Sequence, residues 1–148
     1  MASALDFFKS KLVEAGYNVM PADSIWDRDH IYWDGNNGRQ QFVMLYDTKK
    51  LFGVDVIRMV SMAGVVVEDQ IDYKALIKIM TLNPSSGAPH LGSWQFFARD
   101  DHSTVLGYQI DVPVSSGLEP DRLKLFVEDI AKRADEAEKS LMGGLDLL

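Results

Sequence analysis

Leu106-Gly107-Tyr108-Gln109-Ile110-Asp111-Val112-Pro113-Val114 is the stretch that decides the fold. Leu106, Tyr108, Ile110, Val112 and Val114 alternate with Gly107, Gln109, Asp111 and Pro113. A period of two is the pattern of a strand with one face on a core. Pro113 cannot donate to a ladder, so the end of this strand is expected to be unpaired on that side or to lie at an edge. Upstream, Trp94, Phe96 and Ala98 alternate with Gln95 and Arg99, and Phe97 alone breaks the polar face. Asp100-Asp101-His102-Ser103 between them reads as a turn, which makes the two strands antiparallel neighbours.

Downstream, Pro120 suits the first turn of a helix and Asp121 complements its positive end. Leu123, Phe126, Val127, Ile130, Ala134, Ala137 and Leu141 recur at helical spacing, and Gly143-Gly144 terminates the run. Glu128 with Lys132, Asp129 with Arg133 and Asp135 with Lys139 are acid-to-base pairs four residues apart. Each would stabilise an exposed helix face by roughly 0.2–0.5 kcal/mol.

The earlier part of the chain reads in the same way. Ser3 and Asp6 stand at capping-box spacing, Leu5, Phe8, Leu12 and Ala15 share one helical face, and Gly16 closes the helix. Strands are expected near His30–Trp33, starting as early as Ile25, then over Gln41–Tyr46 and Val54–Met62. The turns between them are Gly35-Asn36-Asn37-Gly38 and Lys49-Lys50-Leu51-Phe52-Gly53. In the third strand Val54, Val56, Val60 and Met62 share a face with Arg58. Ile57 and Met59 fall on the other face beside Asp55 and Ser61, so that face is expected to be partly covered too. A helix fits Asp72–Leu82, with Tyr73, Leu76, Ile77 and Met80 as its stripe, and Asn83-Pro84 stops it. The loop Ser85-Ser86-Gly87-Ala88-Pro89 follows. The expected order is α-β-β-β-α-β-β-α. This is an α+β fold, an antiparallel five-stranded sheet with helices packed mainly on one face.

Composition bounds the function. The chain has 148 residues, no cysteine and a net charge of −7. That is one domain, expected over residues 1–142, followed by a short apolar tail at 143–148. The tail, Leu145-Asp146-Leu147-Leu148, could dock in a partner's groove, pack back on the sheet or stay disordered. Without cysteine there are no disulfides, thiolate metal sites or cysteine nucleophiles. Their absence, with no basic region and apolar run at the N-terminus, points to a cytoplasmic protein. No apolar stretch approaches a membrane span. The acidic balance argues against direct nucleic-acid binding, and it suits solubility or a basic protein partner.

No catalytic or cofactor machinery is legible. The chain lacks a phosphate-binding loop, a glycine-rich dinucleotide turn and a nucleophile elbow. Ser115-Ser116-Gly117 reads as a strand-to-helix loop. Asp27, Asp29 and His30 could gather around a cation, but solvated residues at a strand start explain them better. The same holds for Asp100-Asp101-His102 as a turn. Trp26, Tyr32 and Trp33 could stack on a base or small ligand. Neither a cofactor nor a metal is therefore expected.

The element order resembles the bacterial YbjN-like family, whose fold is shared with type III secretion chaperones. The resembling residues run from Leu82-Asn83 through Trp94–Arg99, Asp100-Asp101 and Ile110-Asp111-Val112-Pro113-Val114. They continue through Ser115-Ser116-Gly117-Leu118 to the helix with Ala134-Asp135. The polar turn Asp100–Ser103 is shorter than the family's usual turn. The resemblance implies a homodimer that binds segments of other proteins without catalysis. It also implies Leu76, Ile77, Met80, Trp94 and Phe97 as dimer or client contacts. Ordinary core packing is the alternative for each, and Phe97, on the polar face of its strand, suits either role. The expected function is a non-enzymatic chaperone or adaptor acting on a client protein. The rivals are a small-molecule sensor or regulator in a signalling or stress pathway, and an enzyme of an unrecognised class.

Overall fold

The structure, a computed structural model, describes residues 3–23, 28–35, 40–47, 50, 52–67, 74, 76–77, 92–98, 103–115 and 117–141. The N-terminal helix α1 spans Ala4–Glu14. The Asp6 amide donates to the Ser3 hydroxyl at 3.1 Å, and the Ser3 amide donates to the Asp6 carboxylate at 3.4 Å. Two otherwise orphaned N–H groups are thus satisfied by a capping box in which Asp replaces Glu. The Ser3 hydroxyl, and after it the Ser3 amide, hold the Asp6 carboxyl below the usual carboxylate range. The chain leaves the helix through Gly16, whose φ of 100° lies in the left-handed region.

Among the described residues six strands follow, where five were expected. They are β1 (Val19–Met20), β2 (His30–Asp34), β3 (Gln40–Asp47), β4 (Val56–Val67), β5 (Ser93–Ala98) and β6 (Ser103–Pro113). All neighbours are antiparallel, in the spatial order β1-β2-β3-β4-β6-β5. Two residues carry no period, so β1 left no signal in the sequence. β4 runs five residues past Met62 because a bulge between Met62 and Gly64 absorbs the break in alternation. β5 pairs with β6 only as far as Gln109, so Pro113 lies beyond that pairing and faces β4 through Val56. The C-terminal helix α2 spans Pro120–Leu141. Of the expected helix at Asp72–Leu82, Lys74, Leu76 and Ile77 have helical backbone, and its other residues lie outside the described ones. The tail at 143–148 lies outside them as well.

Both helices sit on the same face of the sheet. Phe8 and Leu12 of α1 and Leu123, Val127, Ile130 and Ala131 of α2 share a core with Ile31, Val43, Leu45, Ile57, Met59, Tyr108, Ile110 and Val112. Burying each large side chain stabilises the fold by roughly 1.5–3 kcal/mol. The face of β4 with Ile57 and Met59 is therefore the main core face. The Val56, Val60 and Met62 face is the one turned away from α1 and α2, the reverse of the emphasis that valine alternation suggests. Val56 and Val60 are nevertheless buried. Further along, Ala134 and Ala137 meet Ala63, Val66 and Leu106. Small side chains on both partners let the helix approach the sheet closely.

α2 is less exposed on its polar side than its charge pattern suggests. Glu138 is buried and accepts from the Gln41 amide at 2.8 Å, while the Ser61 hydroxyl donates to the Gln41 carbonyl oxygen at 3.1 Å. This chain of bonds ties α2 to β3 and β4 inside the core. Arg133 and Asp135 are buried too, in ion pairs with Asp129 at 3.0 Å and Lys139 at 3.2 Å.

Tyr17 packs against the core, and burial, reinforced by the Glu128 charge, pushes its phenol up to about 12. An unfolded tyrosine ionises near pH 10. Between those values the unfolded chain loses a proton that the folded chain keeps, so stability falls as pH rises through the window. Tyr17→Phe is expected to flatten that alkaline loss. Denaturant unfolding of both proteins on either side of pH 10 checks it.

Candidate functional site

The sheet has two ends. At one, β1 is only two residues long. At the other, β5 is a six-residue strand whose outer side has no strand partner among the described residues. Its sequence, Ser93-Trp94-Gln95-Phe96-Phe97-Ala98, contains three aromatics and no charge. Edge strands present a row of backbone donors and acceptors, and proteins usually protect them with charge, proline or cover. Residues 93–98 themselves contribute none of the first two.

β5 is anchored from one side. The Gly92 amide donates to the Tyr108 hydroxyl at 3.0 Å. A Cβ at Gly92 would fall on the carbonyl oxygen of Gln109, so only glycine lets the chain enter the sheet there. On the helix side, Trp94 meets Tyr108 edge-on, with ring centroids 4.9 Å apart. The Arg133 guanidinium lies 5.3 Å from the Tyr108 ring centre. It also donates to both Asp129 carboxylate oxygens, at 3.0 and 3.1 Å. Burial raises the Tyr108 phenol, and the bond from Gly92 partly offsets that. The Trp94 indole N–H is buried without an acceptor among the described residues. On the opposite face, the Phe97 ring lies over Gly107, whose missing side chain leaves room for it beside Met62.

The candidate residues separate into groups. Leu76 and Trp94 are half-buried against one apolar cluster, formed by Ala63, Val66, Leu106, Ala134 and Ala137. Ile77, next to Leu76, is 61% exposed. Phe97 is half-buried on the other side of the sheet, and Met80 lies outside the described residues. Phe96 was not singled out by the sequence, because its alternation points to the core side. At the sheet edge it stays 47% exposed.

The other candidates resolve into structure. Asp29 accepts from Lys9 at 2.8 Å and from the Ala22 amide at 3.1 Å. The Lys9 bond holds the Asp29 carboxyl below the usual carboxylate range and raises the lysine. His30 is buried, with Nδ1 3.0 Å from the Arg28 carbonyl oxygen and its ring against Tyr32 and Phe42. Among the described residues no three of His, Asp and Glu gather in a way that could hold a metal. Asp27 and Trp26 lie outside them. Tyr32 and Trp33 point to opposite faces of β2, so they do not form one stacking platform; Trp33 packs on the core. The described residues contain no helix long and apolar enough to cross a membrane.

No family model matches this chain, and no curated protein matches it. Among solved structures, the crystal structure of YbjN from E. coli is similar over 90% of this chain and 86% of that one. Sequence identity is 16% and the TM-score 0.49. A likeness at that level lends no functional residue.

Proposed function

We propose that this chain is a non-enzymatic protein-binding module of chaperone or adaptor type, working as a homodimer joined along β5. The observation that supports this is the uncharged, aromatic edge of β5, which has no strand beside it among the described residues. A strand edge is best satisfied by another strand, and two copies of one strand can pair antiparallel about a twofold axis. Each chain carries a net charge of −7, so copies repel over most of their surfaces. A strand without charge is where they can approach at least cost. Pairing there would merge two six-stranded sheets into one and cover Phe96. The client, an extended or amphipathic segment, would lie on the sheet face turned away from α1 and α2. Tyr32, Phe42, Met62 and Phe97 lie on that face and keep apolar surface accessible. Size-exclusion chromatography with light scattering tests the dimer. Twice 16.6 kDa at micromolar concentration is expected, and a monomer there overturns the reading.

A second reading, a small-molecule sensor, is favoured by the buried Trp94 indole N–H beside Tyr108 and Arg133. A ligand offering an acceptor to that N–H would raise the melting temperature, by the equivalent of about 2.7 kcal/mol at a hundred times its Kd. A metabolite screen without any shift would remove this alternative.

A further inference from the structure

Phe52 sits between β3 and β4 and is 96% exposed, more than any other large apolar side chain among the described residues. Its φ is 50°, and that of Gly53 is 79°. Both values lie in the left-handed region, where glycine and asparagine are the residues preferred. Phenylalanine is poorly suited to that region. A bulky side chain there strains the backbone, and Phe52 recovers nothing by burial. The ring therefore works against the fold of its own chain.

We propose that this tip is a docking knob, with Phe52 seated in an apolar pocket on another protein whose rim is acidic. Val54, 43% exposed, broadens the apolar contact. Lys50 supplies the charge complement. It is exposed, and its 3.9 Å pair with Asp55 is a weak surface contact that leaves it available. Lys49 precedes it in a chain that is acidic overall. A lipid surface fits less well. One inserted ring gives only marginal membrane binding, and a chain of net charge −7 is repelled by an anionic leaflet. A ring held at a turn, by contrast, is presented at little ordering cost, as an interface anchor requires. This inference is independent of pairing through β5.

The test uses the full chain with p-benzoylphenylalanine in place of Phe52, photolysed in native extract. A second chain with the same group in place of Leu125, itself 63% exposed, is the control. One dominant protein adduct is expected from position 52 and not from 125, mapping to an apolar pocket with nearby carboxylates. That protein, purified, should bind Phe52→Asn at least about 30-fold more weakly than wild type, the loss typical of an anchor residue. Phe52→Asn should also melt higher than wild type, which separates lost docking from lost folding. Absence of a discrete adduct, equal affinity of Phe52→Asn, or a lower melting temperature for it would each overturn the proposal. So would co-sedimentation with vesicles of equal phosphatidylglycerol and phosphatidylethanolamine that Phe52→Asn abolishes, since the tip would then be a lipid anchor.

Discussion

If copies pair along β5 as proposed, Phe96→Glu is expected to separate them while leaving the protomer folded. Phe96 is 47% exposed at the sheet edge, so its loss removes little burial from the single chain. A cost of about 1 kcal/mol is the ordinary scale for such a change. In the paired state the outcome differs. Antiparallel self-pairing of β5 places both copies of residue 96 close to the twofold axis. Two new carboxylates then add to chains that already repel at −7 each. Association should weaken at least about 100-fold, or roughly 2.7 kcal/mol. Light scattering reads the mass and thermal unfolding reads the fold. A dimer that persists in Phe96→Glu would place the interface elsewhere than β5.

Gly92→Ala is expected to have the opposite signature, with the fold damaged first. A Cβ at that position meets the Gln109 carbonyl oxygen, and it would also lie 2.7 Å from the Ile110 Cγ1 atom. Neither neighbour can yield easily, because one is backbone and the other belongs to the buried face of β6. The start of β5 must move away, breaking the bond from the Gly92 amide to the Tyr108 hydroxyl. Trp94 would lose its contact with Tyr108 in the same step. Forced overpacking of this kind costs about 3 kcal/mol. Denaturant unfolding should show that loss, and hydrogen exchange should show protection vanishing from β5 first. Unchanged protection in β5 would mean that the chain reaches the sheet by another path.

The two substitutions lie four residues apart and act on different levels. Residue 96 concerns what the finished edge meets, and residue 92 concerns whether the edge is built. Phe52→Asn differs from both, because it is expected to stabilise the protein and to weaken its binding.

Much of the site is legible in the sequence, and its decisive feature is not. Alternation places Trp94, Phe96 and Ala98 on one side of their strand, and Trp94 packs there against the core. Alternation says which side of a sheet a residue faces, but not whether anything covers it. Phe96 faces the helix side and stays half-exposed, on the strand that is last in the sheet among the described residues. Asp129–Arg133 was readable as a pair at helical spacing, and the pair forms. Its burial against Tyr108 depends on how α2 is rotated over β6, which spacing alone does not contain.

By itself the sequence determined the class of this protein: the capped first helix, the alternating strands, the long amphipathic C-terminal helix and their antiparallel sense. These are local matters, set by side-chain period, turn chemistry and caps within a few residues. Tertiary structure alone decided that a two-residue strand joins the sheet, that β4 continues past Met62 through a bulge before Gly64, and that the Ile57 face meets the helices. It also decided that β6 inserts between β4 and β5, leaving β5 outermost among the described residues. Strand order and facing depend on which distant surfaces bury the most apolar area together, and that sum belongs to the whole chain.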